Sequence, residues 1–418
     1  MRSARRRRRL HFSRKMLFKS AVAALFVLVM AWLVLAVAFG ASSALRERFP
    51  ALAANFGPFS AREKAVRAEQ ILVAGKGEPA ARAEARSLAQ AALLSDATLV
   101  AAWRNFAIAD FTPRRLGATA RLFALIERMS RRDVPTQLWL IEERVRQNDI
   151  SGALQHYDIA LRTAPEASEW LLPVLVSATA DDGIIGPLAA LLRTDPPWRQ
   201  SFLFSLAQAP PSGRNALRLV QSLAAARLPP RPDIMATLID KVAAARDFDS
   251  ARRLYSLARP GTADAFVRNG GFSGAAPFST FEWAMVGEGD LSADQINMAG
   301  AGDGNVLEVR AARGAGGIVA QQLLVLAPGR YRISERSGAL SEARPADLYW
   351  RIVCVNRANS VVTEIPIVRA RAAGTAAPAW QVPAADCPAQ WLALAVRPGA
   401  AAADAGAWVD AVAISRAP

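Results

Sequence analysis

Two histidines and two cysteines are all that this chain of 418 residues offers for imidazole or thiol chemistry. His11 lies among the arginines of the N-terminal tail. His156 sits beside Tyr157 in QNDISGALQHYDIALRTAP, where a solvated or groove-filling place on a helix is expected. Any Ser-His-Asp or Cys-His set beyond the N-terminal segment would have to use His156. H-E-x-x-H, paired C-x-x-C, the phosphate-cradling Gly-Lys loop and the dinucleotide fingerprint are all missing. GAGDGN, Gly300 to Asn305, is glycine-rich but lacks the lysine and helix that phosphate binding needs, and reads as a turn between strands. Carboxylates remain, and Glu282, Glu308 and Glu335 fall on strand-like segments, yet no spacing sets two of them across a cleft as glycoside hydrolysis requires. The expectation is a protein without catalytic residues, cofactor or metal, with a glycan hydrolase as the remaining enzymatic alternative.

The cysteines, Cys354 and Cys387, lie in the last third of the chain. In an exported domain such a pair tends to close, although spacing alone does not establish the distance, and two buried thiols stay open as the alternative. Export is what the N-terminus suggests. The first nineteen residues carry nine Arg and Lys and no acid, so removing them lowers the net charge from +15 to +6. The basic tail therefore serves topology rather than specific nucleic-acid binding, and no nucleic-acid partner is expected.

Ser20 to Leu45 follows without one charged residue. At about 1.5 Å per residue it is long enough for a hydrocarbon core of about 30 Å. An uncleaved signal anchor is expected, with a cleaved signal peptide (Ala36-Val37-Ala38) and a buried soluble helix as alternatives. The basic flank would stay cytoplasmic in a bacterial inner membrane, leaving the bulk of the chain periplasmic and the lipid bilayer a partner. The domains read as tail 1–19, transmembrane helix 20–45, linker 46–59, helical domain 60–262 and β domain 263–418.

The helical domain opens on a capping box, Ser60 followed by Glu63, and its first helix stops near Gly75. Three segments share a small residue repeated seven positions later: Ala85 and Ala92, Ala153 and Ala160, Ala251 and Ala258. Such residues occupy one helix face and let a neighbouring helix approach. The first two segments are offset by 68 residues, twice the 34-residue period of helical hairpin repeats. Pro196-Pro197, Pro210-Pro211 and Pro229-Pro230 fall where interhelix loops belong. On these features, and most clearly on Ala153, Ala160 and Pro165, the stretch resembles the tetratricopeptide repeat family, with Ile141 and Arg144 departing from its usual Gly and Tyr. The resemblance implies stacked helix pairs that bind a partner protein; a simple bundle is the alternative.

Beyond Gly261 the apolar period shifts toward two, and seven short runs rich in Val, Ile and aromatics form a predicted sandwich. NGGF at Asn269 to Phe272, VLEVRA, QQLLVLAPGRYRIS and the closing WVDAVAIS resemble the jelly rolls related to carbohydrate-binding modules. The resemblance implies two antiparallel strands joined at Pro328-Gly329, and a calcium ion held in part by an acid after the NGGF phenylalanine. Here that position is Ser273 while Asp410 remains, so no bound ion is expected. It also implies aromatic platforms for sugars. Alternation in LYWRIVC places Leu348, Trp350, Ile352 and Cys354 on a core face and Tyr349 with Arg351 on an open one. Tyr349, Arg351, Trp283 and Trp380 are the candidate glycan residues, while Trp391 and Trp408 read as core.

The whole chain resembles membrane-anchored repeat proteins of bacterial envelope and exopolysaccharide assembly. The expected function is a non-enzymatic tether whose repeats hold a protein and whose sandwich contacts polysaccharide. In the alternative, the sandwich is only a structural or oligomerisation module.

Overall fold

The computed structural model describes residues 27–34, 36–37, 60–261, 265–273, 278–287, 289–298, 304–340, 344–345, 347–356, 358–367, 378–398 and 405–418. It is an α plus β protein. Among the described residues no helix is long and apolar enough to cross a membrane. This corrects the transmembrane helix over 20–45 and, with it, the inner-membrane placement and the bilayer as a partner. The remainder of 20–45, the tail 1–19, the linker 46–59 and residues 299–303 of the glycine-rich loop lie outside the described residues.

The chain divides into two compact units, 1–167 and 168–418. The first contains α1 (Ala61–Ala74), α2 (Pro79–Ser95), α3 (Val100–Asp110), α4 (Leu116–Met129), α5 (Val134–Arg146) and α6 (Ile150–Thr163). Ser60 caps α1, its hydroxyl accepting from the Glu63 amide at 3.1 Å. Ala85, Ala92, Ala153 and Ala160 are buried where helices cross. Arg104, also buried, donates to Glu69 of α1 at 2.7 Å and to Asp133, the N-cap of α5, and so ties three helices through one guanidinium.

The second unit begins with α7 (Ser168–Ala178), α8 (Asp182–Leu192), α9 (Arg199–Gln208), α10 (Gly213–Ala225), α11 (Pro232–Ala244) and α12 (Phe248–Ala258). Helices α7, α9 and α11 pack side by side in one layer and α8, α10 and α12 in another, an arrangement compatible with a solenoid. All three proline pairs sit in interhelix loops. The two best-matched repeat segments share a local device: Asn148 and Arg246 adopt left-handed φ of 58° and 65°, and the following Asp149 and Asp247 cap the next helix.

Two antiparallel sheets follow, built from β1 (Ala284–Met285), β2 (Leu291–Asn297), β3 (Asn305–Ala311), β4 (Gly317–Leu324), β5 (Gly329–Ala339), β6 (Arg344–Pro345), β7 (Leu348–Cys354), β8 (Val361–Pro366), β9 (Trp380–Val382), β10 (Gln390–Val396) and β11 (Ala405–Arg416). One sheet runs β1-β4-β10-β7-β8 and the other β2-β3-β11-β5-β9, with β6 parallel to β11. All seven runs read from the sequence are strands. The Pro328-Gly329 connection is not a hairpin, however, because β4 and β5 belong to opposite sheets. Between the sheets lie Trp283, Trp350, Tyr331, Leu307, Leu392 and Leu394.

The NGGF segment closes this core. β11 bulges between Asp410 and Ala413, and Gly270 enters the gap, accepting from the Val412 amide at 2.8 Å. A Cβ on Gly270 would fall 1.9 Å from the Val412 carbonyl oxygen, so no side chain fits. Gly270→Ala is expected to cost about 1–3 kcal/mol through forced backbone displacement, read as a lower urea midpoint.

His156 is buried rather than solvated, its Nδ1 2.9 Å from Gln137 Oε1 and 3.4 Å from Glu127. Burial lowers its pKa below the ordinary 6.5; Glu127 opposes that, Arg144 reinforces it and Asp149 opposes it. The unfolded chain therefore protonates first as pH falls, and the folded state loses stability from about pH 6.5 downward. Thermal melts across this range should show that loss in the wild type and a smaller one in His156→Gln.

Candidate functional site

Strand β7 alternates as the sequence predicts. Leu348, Trp350, Ile352 and Cys354 point into the core, and Tyr349, Arg351 and Val353 onto the outer face of the five-stranded sheet. Register carries that face across the neighbours: β10 sets Ala395 beside Tyr349, Ala393 beside Arg351 and Trp391 beside Val353, while β8 sets Glu364 beside Arg351. β4 adds Gln321 beside Ala393 and Leu323 beside Trp391. Ala393 and Ala395 are buried, and their short side chains make the floor of a trough between longer neighbours.

At one end of the trough Arg397 lies over the Tyr349 ring, 4.3 Å from its centroid. Its Nη2 is 3.4 Å from Glu364, and Arg351 Nε is 3.8 Å from the same carboxylate. One acid thus sits between two guanidinium groups, and Arg351 Nε is left without a hydrogen-bond acceptor. That end offers donors and a half-buried ring.

At the other end Trp391 meets the helices. The hairpin of α11 and α12 stands over this part of the sheet and encloses a cleft of ≈ 600 Å³ lined by Trp391, Leu323, Phe278, Phe248, Asp240 and Arg246, among others. Its walls are mostly apolar, with Asp240, Ser279, Thr280 and Arg246 as the polar groups. Three contacts hold the wall in place. Tyr255 Oη donates to Glu282 Oε1 at 2.9 Å, the Phe278 amide donates to Glu282 Oε2 at 2.8 Å, and the Thr280 amide donates to Asp240 at 2.8 Å. Arg259 caps the joint over the Phe278 ring at 4.5 Å. Burial, then the Glu282 bond and charge, push the Tyr255 phenol well above its ordinary 10, so it remains a donor.

Beyond the cleft, Cys354 of β7 is joined to Cys387 in a disulfide with Cα atoms 5.0 Å apart. It closes a loop of 33 residues, worth roughly 3–4 kcal/mol in the chain-entropy account. Two buried amides reinforce it. Gln390 donates to the Cys387 carbonyl and accepts from the Leu326 amide, and Asn356 donates to Ser360 and to the Asp386 carbonyl.

The sequence-derived candidates divide. Tyr349 and Arg351 share the outer face as expected. Trp283 lies in the core, 2% exposed between Phe272 and Trp350, with its Nε1 bonded to the Asn269 carbonyl. Trp380, 5% exposed, packs on Tyr331. Neither ring presents a face to a dissolved sugar, because each fills a gap between the sheets. Trp391, read as core, is instead the ring at the cleft. Its signal was the alternation in WLALAV, which opposes Trp391, Ala393 and Ala395 to Leu392, Leu394 and Val396. Glu282 serves the joint, Glu308 pairs with Arg310, and Glu335 accepts from Trp350, so the three carboxylates are engaged separately. Asp410 is buried against Arg336, and among the described residues no group of three or more His, Cys, Asp or Glu could hold a metal ion.

No family model matches the chain. A comparison with curated proteins likewise finds no match. Among solved structures, the enzymatically active domain of tailspike protein 4 of bacteriophage CBA120 is similar over 37% of this chain and 21% of its own, at 12% identity and a TM-score of 0.25. A structure described as one of carbohydrate-binding modules from the β-sandwich superfamily is similar over 32% of this chain and 57% of its own, at 14% identity and a TM-score of 0.23. The chain thus spans about a fifth and rather more than half of these two structures.

The joint is open to a direct check. Tyr255→Phe keeps the ring packing against Phe281 but leaves Glu282 one donor short. It should cost about 1–2 kcal/mol and show as faster amide exchange across residues 278–283.

Proposed function

We propose that this protein is a non-enzymatic scaffold that contacts polysaccharide through the outer face of its five-stranded sheet and holds a protein partner on its helical layers. The observation that carries the glycan reading is the single face joining the Tyr349 ring, the donors of Arg351 and Arg397, the alanine floor and the Trp391 cleft. Rings with an apolar body beside fixed hydrogen-bonding groups suit sugars, which have apolar ring faces and polar rims. The partner reading is supported by exposed apolar side chains on α7 and α9, where Trp170, Val174 and Phe204 are 45%, 56% and 51% accessible. The disulfide fits an oxidising compartment, in keeping with a role in polysaccharide assembly or export. The repeat and carbohydrate-module resemblances of the sequence point the same way.

Screening the full chain on a broad glycan array should give retained ligands, and Tyr349→Ala or Trp391→Ala should each weaken them about three- to tenfold without altering the melt. A folded protein that retains no glycan would reduce the sandwich to a structural module and move binding to the helices. Product release from a polysaccharide would instead establish a hydrolase.

A further inference from the structure

The other sheet carries a different surface. On β5 the residues Tyr331 and Ile333 point into the core, and the alternate positions Arg330, Arg332, Ser334 and Arg336 lie on the outer face. Register places Ser415 beside Arg332, Ala413 beside Ser334 and Asp410 beside Arg336 on β11, and Gln381 beside Arg330 on β9. Among the described residues Asp410 is the acid set in register against this half of the face, and it is buried beneath Arg336, whose side chain stays 48% exposed. Arg330 donates to the Pro418 carbonyl, and Arg332 has its Nε buried without an acceptor. A cleft of ≈ 500 Å³ lined by Ala413, Ser415 and Phe266 lies one strand away.

We propose that this arginine ladder binds an acidic polysaccharide, a site separate from the five-stranded face and independent of its reading. Three features select that ligand. Alternate residues on a strand stand about 7 Å apart, so Arg330 and Arg332 can each meet one carboxylate of a polymer ionised about once per sugar. Trp408 lies on the same face beside Gly338, where the missing side chain makes room for the indole: a Cβ would fall 2.5 Å from its Nε1. It supplies a ring for a pyranose. Glu308 of β3, directly beside Trp408 and paired with Arg310, and Asp294 one strand further out put acid next to the ring, which disfavours a dense polyanion there.

The test uses the full chain with polygalacturonate, neutral dextran, phosphatidylglycerol vesicles and duplex DNA at low and high salt. Hydrogen exchange locates the contact, because the N-terminal arginines could bind anions by themselves. Polygalacturonate should bind, weaken with salt and protect Gly329–Ala339, and Arg330→Gln with Arg332→Gln should lower affinity about tenfold or more and remove that protection. Tyr349→Ala should leave it unchanged. Undiminished binding by the double variant, protection absent from β5, or tighter binding of DNA or vesicles at that strand would each overturn the proposal.

Discussion

The hydroxyl of Tyr255 and the carboxylate of Glu282 meet where the last helix reaches the sandwich, and the geometry of the second unit follows from that contact. A carboxylate withdrawn from water is tolerated only when its oxygens are filled. Tyr255 fills one, the Phe278 amide fills the other, and Arg259 supplies the counter-charge at 3.6 Å. Because Glu282 belongs to the segment that starts the sandwich and Tyr255 to α12, satisfying this acid seats the hairpin over the sheet. The cleft beside Trp391 is the space left between them. Without the joint, Trp391 would be one more half-exposed tryptophan on an open sheet.

Similar logic recurs around the sandwich, where buried polar groups fix segments that have no ladder of their own. Gln322 is fully buried in β4 and uses both ends of its amide on the backbone of Arg268, at 2.8 and 2.9 Å. It holds the approach to NGGF as a neighbouring strand would. Gly270 then locks the bulge of β11, while Gln390 and Asn356 secure the loops around the disulfide. The two outer faces are left to differ: one is floored with alanine and edged by rings, and the other is ridged with arginine.

Much of the fold was legible locally. Period two marked seven strands, small residues seven apart marked helix crossings, and Ser60 and the proline pairs marked ends and loops, because each depends on only a few neighbouring residues. Strand alternation in LYWRIVC assigned Tyr349 and Arg351 to the open face for the same reason. The short strands β1, β6 and β9 escaped notice because two or three residues carry no period, and β2 (Leu291–Asn297, LSADQIN) because its mostly polar residues give no apolar alternation. The apolar stretch 20–45 misled because hydropathy alone does not separate a spanning helix from other uses of an apolar segment.

By itself the sequence determined the element types, the side of each long strand a residue occupies and the lack of recognisable catalytic motifs, since all of these are set by spacing along the chain. Tertiary structure decided which rings are available, because Trp283 and Trp380 were excluded by what the opposite sheet needed to bury, and Trp391 gained its role from a helix more than 130 residues upstream. It also decided that Pro328-Gly329 joins two sheets, that Cys354 and Cys387 lie within bonding distance, and that Glu282 bonds to Tyr255 of the last helix. Each of these depends on the separation in space of residues far apart in the chain, a quantity that no local pattern encodes.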